Sequence, residues 1–286
     1  MSYDNPSYWR GLHDAMPDGL RAVGYPALSE RFNELKYESE ARTFTEVLDR
    51  HVEKSKSPFR VLDLGAGSGY WTRLVDRWAH SAGRTAELTA VDLSQPALTQ
   101  ISIALPHVQT VQGDLCTMNP GEFAGKFDLT YVCYCLHHLP RLDGHLNALR
   151  LACKSVAPGG TLIIMDPVLT LPYSPLDCHD FFSYNGNGVV RHLMTIEDVV
   201  QSEGLKRNEV LPAVSYILNG PVQASGSWRF ALATRIWFAL HRVYRSESMT
   251  RRLSGLLGMI DHSLKASGSS LSSSICVYSR PADSRT

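Results

Sequence analysis

The sequence predicts an α/β fold: a mostly parallel sheet covered by helices on both faces. Three observations carry this. A largely apolar run from Phe59 to Leu64 leads straight into Gly65, Gly67 and Gly69, and an amphipathic helical pattern opens at Tyr70-Trp71. Three acids, Asp63, Asp92 and Asp114, stand at the ends of successive apolar runs, one strand–helix unit apart. Residues 58–216 alternate strand-like and helix-like patterns, as a parallel sheet requires.

The glycines come first. A strand that turns sharply into a helix needs backbone angles closed to other residues, and a ligand close to the main chain needs the side chain absent. Asp63, just before the first glycine, argues against a pyrophosphate, which a carboxylate repels. It suits a cationic group such as an ammonium. Leu88 to Asp92 reads as a second strand, and an acid at that distance lies beside the first turn and can accept both hydroxyls of a ribose. Val108 to Val111 reads as a third strand, followed by Gly113-Asp114-Leu115, where Asp114 can accept an adenine amino hydrogen.

Helices are expected over residues 70–80, 95–104, 142–155 and 195–203, the last capped by Thr195. A strand is expected from Glu209 to Ile217. Before the sheet, 28–33 and 41–52 read as two helices separated by a polar, tyrosine-bearing stretch. Phe44, Val47, Leu48 and His51 fall on one face of the second. In segment 218–272, residues 228–244 read as a helix with Leu232, Ile236, Ala239, Leu240 and Val243 on one side. Residues 253–264 read as another, with Leu256, Leu257 and Ile260. The serine-rich stretch 266–274 reads as flexible, and no internal repeat is visible.

Bulk properties narrow the class. A chain of 286 residues with 44% apolar and 20% charged residues is ordinary for a globular protein. Its formal net charge of zero weighs against a nucleic-acid partner. No apolar window is long enough to span a bilayer, and Met1 to Arg10 lacks a signal-peptide core, so a cytoplasmic location is expected. The six cysteines are scattered, and Cys133-x-Cys135 lacks the second ligand pair of a zinc site. Buried free thiols and no metal are expected.

On these residues the chain resembles the class I S-adenosylmethionine-dependent methyltransferases, over residues 58–216 and more loosely 273–280. Asp63-Leu-Gly65-Ala66-Gly67-Ser-Gly69 is similar to the motif that holds the methionine end of the cofactor. Asp92, with Leu93, matches the ribose-binding acid, and Gly113-Asp114-Leu115 the adenine-contacting motif. Phe127 to Cys133 matches the fourth strand. Leu136-His137-His138-Leu139 follows it, as in the small-molecule branch. Ala157 to Thr161 and Leu162 to Asp166 resemble the turn and fifth strand.

The resemblance implies S-adenosyl-L-methionine as cofactor and a Rossmann-like, seven-stranded, mostly parallel sheet whose last strand enters antiparallel. It also implies an N-terminal helical lid (1–57), a cofactor-binding core (58–217) and a terminal strand with its tail (273–286). Segment 218–272 departs from the family, which commonly joins its last two strands by a short hairpin, and reads as a helical cap inserted before the last strand. Nucleic-acid amino methyltransferases of this fold carry Asn/Asp-Pro-Pro-Tyr after strand four. Cys133-Tyr134-Cys135-Leu136 stands there instead, which argues against base methylation.

Methyl transfer from a sulfonium needs alignment and water exclusion, and a hydroxyl acceptor also needs its proton removed. Histidine suits that removal near neutral pH. His137 and His138 follow strand four, at the mouth of the sheet, where the alternative for them is helix-start packing or hydrogen bonding. His179 lies in the long loop after strand five. Tyr184, Asn185, Arg191 and His192 in that loop are candidates for orienting substrate, the alternative being solvent contact.

The leading reading is an enzyme methylating a small biosynthetic molecule, at oxygen before nitrogen or carbon, such as a natural-product or sugar-type intermediate. Six arginines and one acid between Trp228 and Arg252 allow a second. They are either a solvated helix face or an anion-seeking surface over 228–252, for a lipid-linked or macromolecular acceptor or a membrane headgroup layer. A third reading is a protein that binds the cofactor without transferring methyl, as a cyclase or scaffold. A homodimer is compatible with all three.

Overall fold

The structure is a computed structural model that describes residues 7–9, 11–12, 20, 24–53, 58–174 and 188–282. Its centre is a seven-stranded sheet. The strands are β1 (Phe59–Leu64), β2 (Ala86–Asp92), β3 (Gln109–Gln112), β4 (Phe127–Cys133), β5 (Val156–Asp166), β8 (Lys206–Pro212) and β9 (Ser274–Ser279), in the order β3-β2-β1-β4-β5-β9-β8. A separate short parallel pair joins β6 (Val168–Leu169) to β7 (Arg191–His192). β1 to β5 run parallel, and β9 enters antiparallel between β5 and β8. The chain is therefore Rossmann-like, as its motifs implied.

Alternation along β1 shows how the sheet is covered. Val61 joins the core on one face, while Leu62 and Leu64 join the core on the other. Both faces are buried, which is why the strand reads as a nearly continuous apolar run. The helices linking the strands are α2 (Tyr70–Ser81), α3 (Gln95–Ala104), α4 (Leu142–Ser155) and α5 (Leu193–Ser202). Ser94 caps α3 by accepting from the Ala97 amide. At α5 the cap position falls on His192 and not on Thr195, and no side chain caps it. β8 begins three residues before the expected strand, and it ends at Pro212 because the chain then turns into the short helix α6 (Tyr216–Asn219).

The expected helices 28–33 and 41–52 are one 22-residue helix, α1 (Glu30–His51), and not two. In the polar stretch expected to separate them Lys36, Tyr37, Ser39 and Glu40 are buried, while Glu38 stays exposed. Lys36 Nζ lies 2.8 Å from Glu40 Oε1, one helical turn on. The insertion supplies α7 (Ser227–Tyr244) and α8 (Glu247–Ala266). Phe230, Ala233, Trp237, His241 and Tyr244 form the buried face of α7, about a third of a turn from the expected one; Ile236, Leu240 and Val243 pack half-buried at its edge, and Leu232 is exposed. The four aromatic rings outweigh the aliphatic stripe in area removed from water.

Phe32 and Leu35 of α1, Ile217 and Leu218 of α6, Trp237 and Tyr244 of α7, and Leu257 of α8 share one core. The N-terminal helix and the insertion thus pack together. The serine-rich stretch is packed as well: Ser270, Ser272, Ser273 and Ser274 are buried, and the Ser270 and Ser273 carbonyls accept from the Tyr216 and Ala213 amides. No helix among the described residues is long and apolar enough to cross a membrane.

Candidate active site

The strand order reverses at β1, which pairs with β2 on one side and β4 on the other. Ligands of open α/β sheets bind at such a point, beyond the carboxyl ends of the strands. There a cavity of about 860 Å³, counted out to its open mouth, lies over the turns after β1, β2, β3 and β4.

The turn after β1 forms its floor. Gly65, Gly67 and Gly69 have φ of 75°, 52° and 82°, all in the left-handed region. The Gly65 and Ala66 amides donate to the Val91 carbonyl at 2.8 and 3.0 Å, which ties this turn to β2. A Cβ on Gly65 would come within 2.4 Å of Cys135 Sγ, so the floor admits no side chain there. Gly65, Ala66, Gly67, Ser68, Tyr70 and Trp71 all line the cavity, which places the first turn of α2 and its uncapped amides at the ligand position.

Asp92 ends β2 on the wall. Its Oδ2 accepts from the Gly67 amide and its Oδ1 from the Ser94 amide, both at 2.8 Å. A carboxylate oxygen offers two lone pairs, so an acid at this place is of the type that can also accept from a hydroxyl. Leu93, Gly113, Asp114 and Leu115 continue the wall, with the Gly113 amide bonded to the Asp92 carbonyl. Cys133, Tyr134 and Cys135 close it from β4. The floor amides, the Asp92 carboxylate and an adjoining acid at Asp114 fit a nucleoside that carries an amino-acid chain.

Asp63 is an exception among the expected residues. It is buried and off the cavity wall. Strand alternation turns it, like Val61, toward α2, where Oδ2 accepts from Thr72 Oγ1 at 2.7 Å and from Tyr131 Oη at 2.9 Å. Burial raises its carboxyl to about 7, against the pull of those two hydrogen bonds. It braces the turn from behind. Gly69 also stays off the wall and caps α2.

His137 and His138 part company. His137 is buried in the 3₁₀ turn Leu136–His138, its amide donating to Asp166 Oδ2 at 2.8 Å and its Nδ1 lying 2.6 Å from Asp166 Oδ1. Burial pushes His137 down to about 3 and Asp166 up to about 8. A ring held that far down is a poor proton acceptor, and His137 is off the cavity wall. His138 lines the cavity, its ring 3.8 Å from that of His137 and 4.7 Å from that of Trp9.

Arg191 does not reach the cavity. It is buried and donates to the Pro140 carbonyl at 2.9 Å, next to His145. His192 is likewise off the wall, at the start of α5. His179, Tyr184 and Asn185 lie outside the described residues. The wall residues that sequence reasoning missed are mainly aromatic: Trp9 and Tyr37 from the N-terminal segment, Tyr70 and Trp71 from α2, and Tyr134. The spacing of Tyr70 and Trp71 just after the glycines was a visible signal. Tyr37 had none beyond its place in a polar stretch.

The described cysteines 116, 133, 135, 153 and 276 are free thiols. No three described His, Cys, Asp or Glu side chains are grouped as a metal ion would need.

Residues 35–206 match the family described as methyltransferase domain. The chain belongs to this family and is a class I S-adenosylmethionine-dependent methyltransferase by fold and cofactor. It is similar to trans-aconitate 2-methyltransferase of Streptomyces avermitilis, with 32% identity over 134 residues, 44% of this chain and 46% of that protein. It is also similar to the ubiquinone/menaquinone biosynthesis C-methyltransferase UbiE of Neisseria meningitidis, with 26% identity over 149 residues, 47% of this chain and 51% of that protein. The matches thus span about half the length of these curated relatives. Phosphoethanolamine N-methyltransferase 2 of Haemonchus contortus, solved with S-adenosyl-L-methionine, shares the fold at a TM-score of 0.51 and 15% identity, over 96% of this chain and 60% of that one.

Proposed function

We propose that the protein methylates an oxygen of a small-molecule acceptor of natural-product or sugar type, with His138 taking the acceptor's proton. The observation that carries this is the position of His138 on the cavity wall, backed by a histidine that Asp166 holds at two points. S-adenosylmethionine, when bound, supplies an electrophilic methyl on a sulfonium.

The protein's own residues do the rest. The Gly65–Ser68 turn and the first turn of α2 are to hold the amino-acid end of the cofactor, Asp92 its ribose, and Asp114 its adenine. Asp63 supports that turn without touching the ligand. Trp9, Tyr37, Tyr70 and Trp71 offer apolar faces that exclude water and favour a flat or ring-shaped acceptor. His138 receives the proton at a ring nitrogen as the new bond forms. Residues 1–57 act as the lid through Trp9 and Tyr37, and 218–272 as the cap that supports α1 from behind.

The test is incubation of metabolite extracts with methyl-labelled cofactor and mass spectrometry of what gains the label. Label on a hydroxyl oxygen supports the proposal; label only on nitrogen or carbon overturns it. His138→Gln is expected to lower kcat by about 10²–10⁴-fold while leaving cofactor affinity unchanged. Unaltered kcat would remove His138 from the reaction.

A further inference from the structure

α7 and α8 are apolar on two sides, and only one side is covered. The buried face of α7 carries Phe230, Ala233, Trp237, His241 and Tyr244. On the opposite side, Trp228, Leu232, Arg235, Ala239 and Arg242 recur at helical spacing, flanked by Phe238. Trp228 is 66% exposed, Leu232 51% and Phe238 46%. α8 repeats the arrangement. Thr250, Leu257 and Asp261 face inward, while Met249, Arg252, Leu256 and Met259 run along the outside. Met259 is 64% exposed and Leu256 52%. An ordinary surface helix is polar on its outer side; large apolar side chains gathered there mark an interaction surface.

Charge selects the partner. α7 contains no acid. α8 contains Glu247, which pairs with Arg251 at 3.1 Å, and Asp261, which is buried beside Ser39 and Lys265. Arg235, Arg242, Arg245 and Arg252 are exposed and have no acid within ion-pair distance among the described residues. A second copy meeting this face about a two-fold axis would set these arginines against their own images, which is unfavourable. A bare phosphate polymer would satisfy the arginines but give the Trp228, Leu232, Phe238 and Met259 side chains nothing apolar to enter. A bilayer with anionic headgroups meets both needs at once: its phosphates take the guanidinium groups while the apolar side chains reach the acyl boundary.

We propose that the outer face of α7 and α8 docks on a lipid surface bearing anionic headgroups. This holds whatever acceptor the cavity takes. α8 also packs on α1, whose Ser39 bonds Asp261 and whose Tyr37 lines the cavity, so the docked face backs directly onto the helix over the site.

The test uses the full chain and vesicles of phosphatidylcholine alone or mixed with phosphatidylglycerol. Co-sedimentation is expected to be roughly tenfold stronger on the mixed vesicles and to weaken as salt is raised. Arg235→Glu with Arg242→Glu is expected to abolish that preference. Trp228→Ser with Phe238→Ser is expected to weaken binding about tenfold at unchanged charge. These side chains are exposed, so circular dichroism and cofactor binding report an intact fold in both variants. Failure to bind either vesicle, equal binding to both, or indifference to the charge reversal overturns the proposal. So does a solution mass of two chains that the Trp228 and Phe238 changes reduce to one, because a second copy then covers the face.

Discussion

Tyr134 donates its phenolic hydrogen to Glu40 at 2.6 Å, joining the turn after β4 to the middle of α1 across 94 positions of sequence. Glu40 is fully buried and also holds Lys36, whose ammonium lies 4.4 Å from the Tyr37 ring centre and 4.3 Å from that of Tyr134. Tyr134 carries a φ of 52°, rare for a residue with a side chain. The surrounding contacts must hold it there. Two tyrosines of the cavity wall are therefore fixed by one buried ion pair.

Removing one partner of that pair strands the other. Glu40→Ala is expected to cost about 3–5 kcal/mol in urea unfolding, because Lys36 is left charged and buried. The double change Lys36→Met with Glu40→Leu is expected to cost much less. Equal losses in the single and double variants would show that the pair is not what Lys36 depends on.

Asp92→Ala is expected to weaken S-adenosylmethionine binding by about 1–3 kcal/mol in calorimetry, since it removes a charged acceptor and frees the Gly67 amide it holds. Unaltered affinity would contradict the ribose assignment.

Much of this was legible in the sequence. The helix starts at Tyr70, Gln95 and Leu142 follow from local pattern and the strand from Phe127 to Cys133 from the family resemblance, and the structure has them in place. The buried polar residues of α1 were not legible. Lys36, Ser39 and Glu40 look like a solvent face, and their partners Tyr134, Asp261 and Lys265 are about a hundred residues or more away. The buried side of α7 was ambiguous for a different reason. That helix has two apolar sides, and only the shared core with α1 decides which turns inward. Asp63 was assigned to the ligand because it adjoins the glycines, whereas strand alternation sends it behind them.

Gly65→Ala is expected to destabilise the turn by about 1–2 kcal/mol through its left-handed backbone, beyond the contact with Cys135. It is also expected to abolish cofactor binding. Pairing it with Cys135→Gly relieves the contact but not the backbone, so stability is expected to recover only in part. Thermal melts of the two variants separate these contributions.

Asp63 gives the fold a pH dependence of known sign. Its folded value, about 7, lies above the ordinary 3.8 because the carboxyl is buried. Folding therefore favours the protonated form. The stabilisation is complete below about pH 3.8 and is lost as pH rises through about 7. Asp63→Asn is neutral throughout. Its stability relative to the unaltered protein is expected to rise between about pH 4 and about pH 8, by up to roughly 4 kcal/mol. A difference that stays flat with pH in chemical denaturation would place the titration elsewhere.

The antiparallel strand β9 joins neighbours made much earlier in the chain, pairing with β5 along Thr161 to Asp166 and with β8 along Lys206 to Pro212. Until Ser274–Ser279 has left the ribosome, β8 has no partner and β5 presents an open edge. From the completion of β8 until then the nascent protein carries two unpaired strand edges, and its sheet closes only as a late, long-range event.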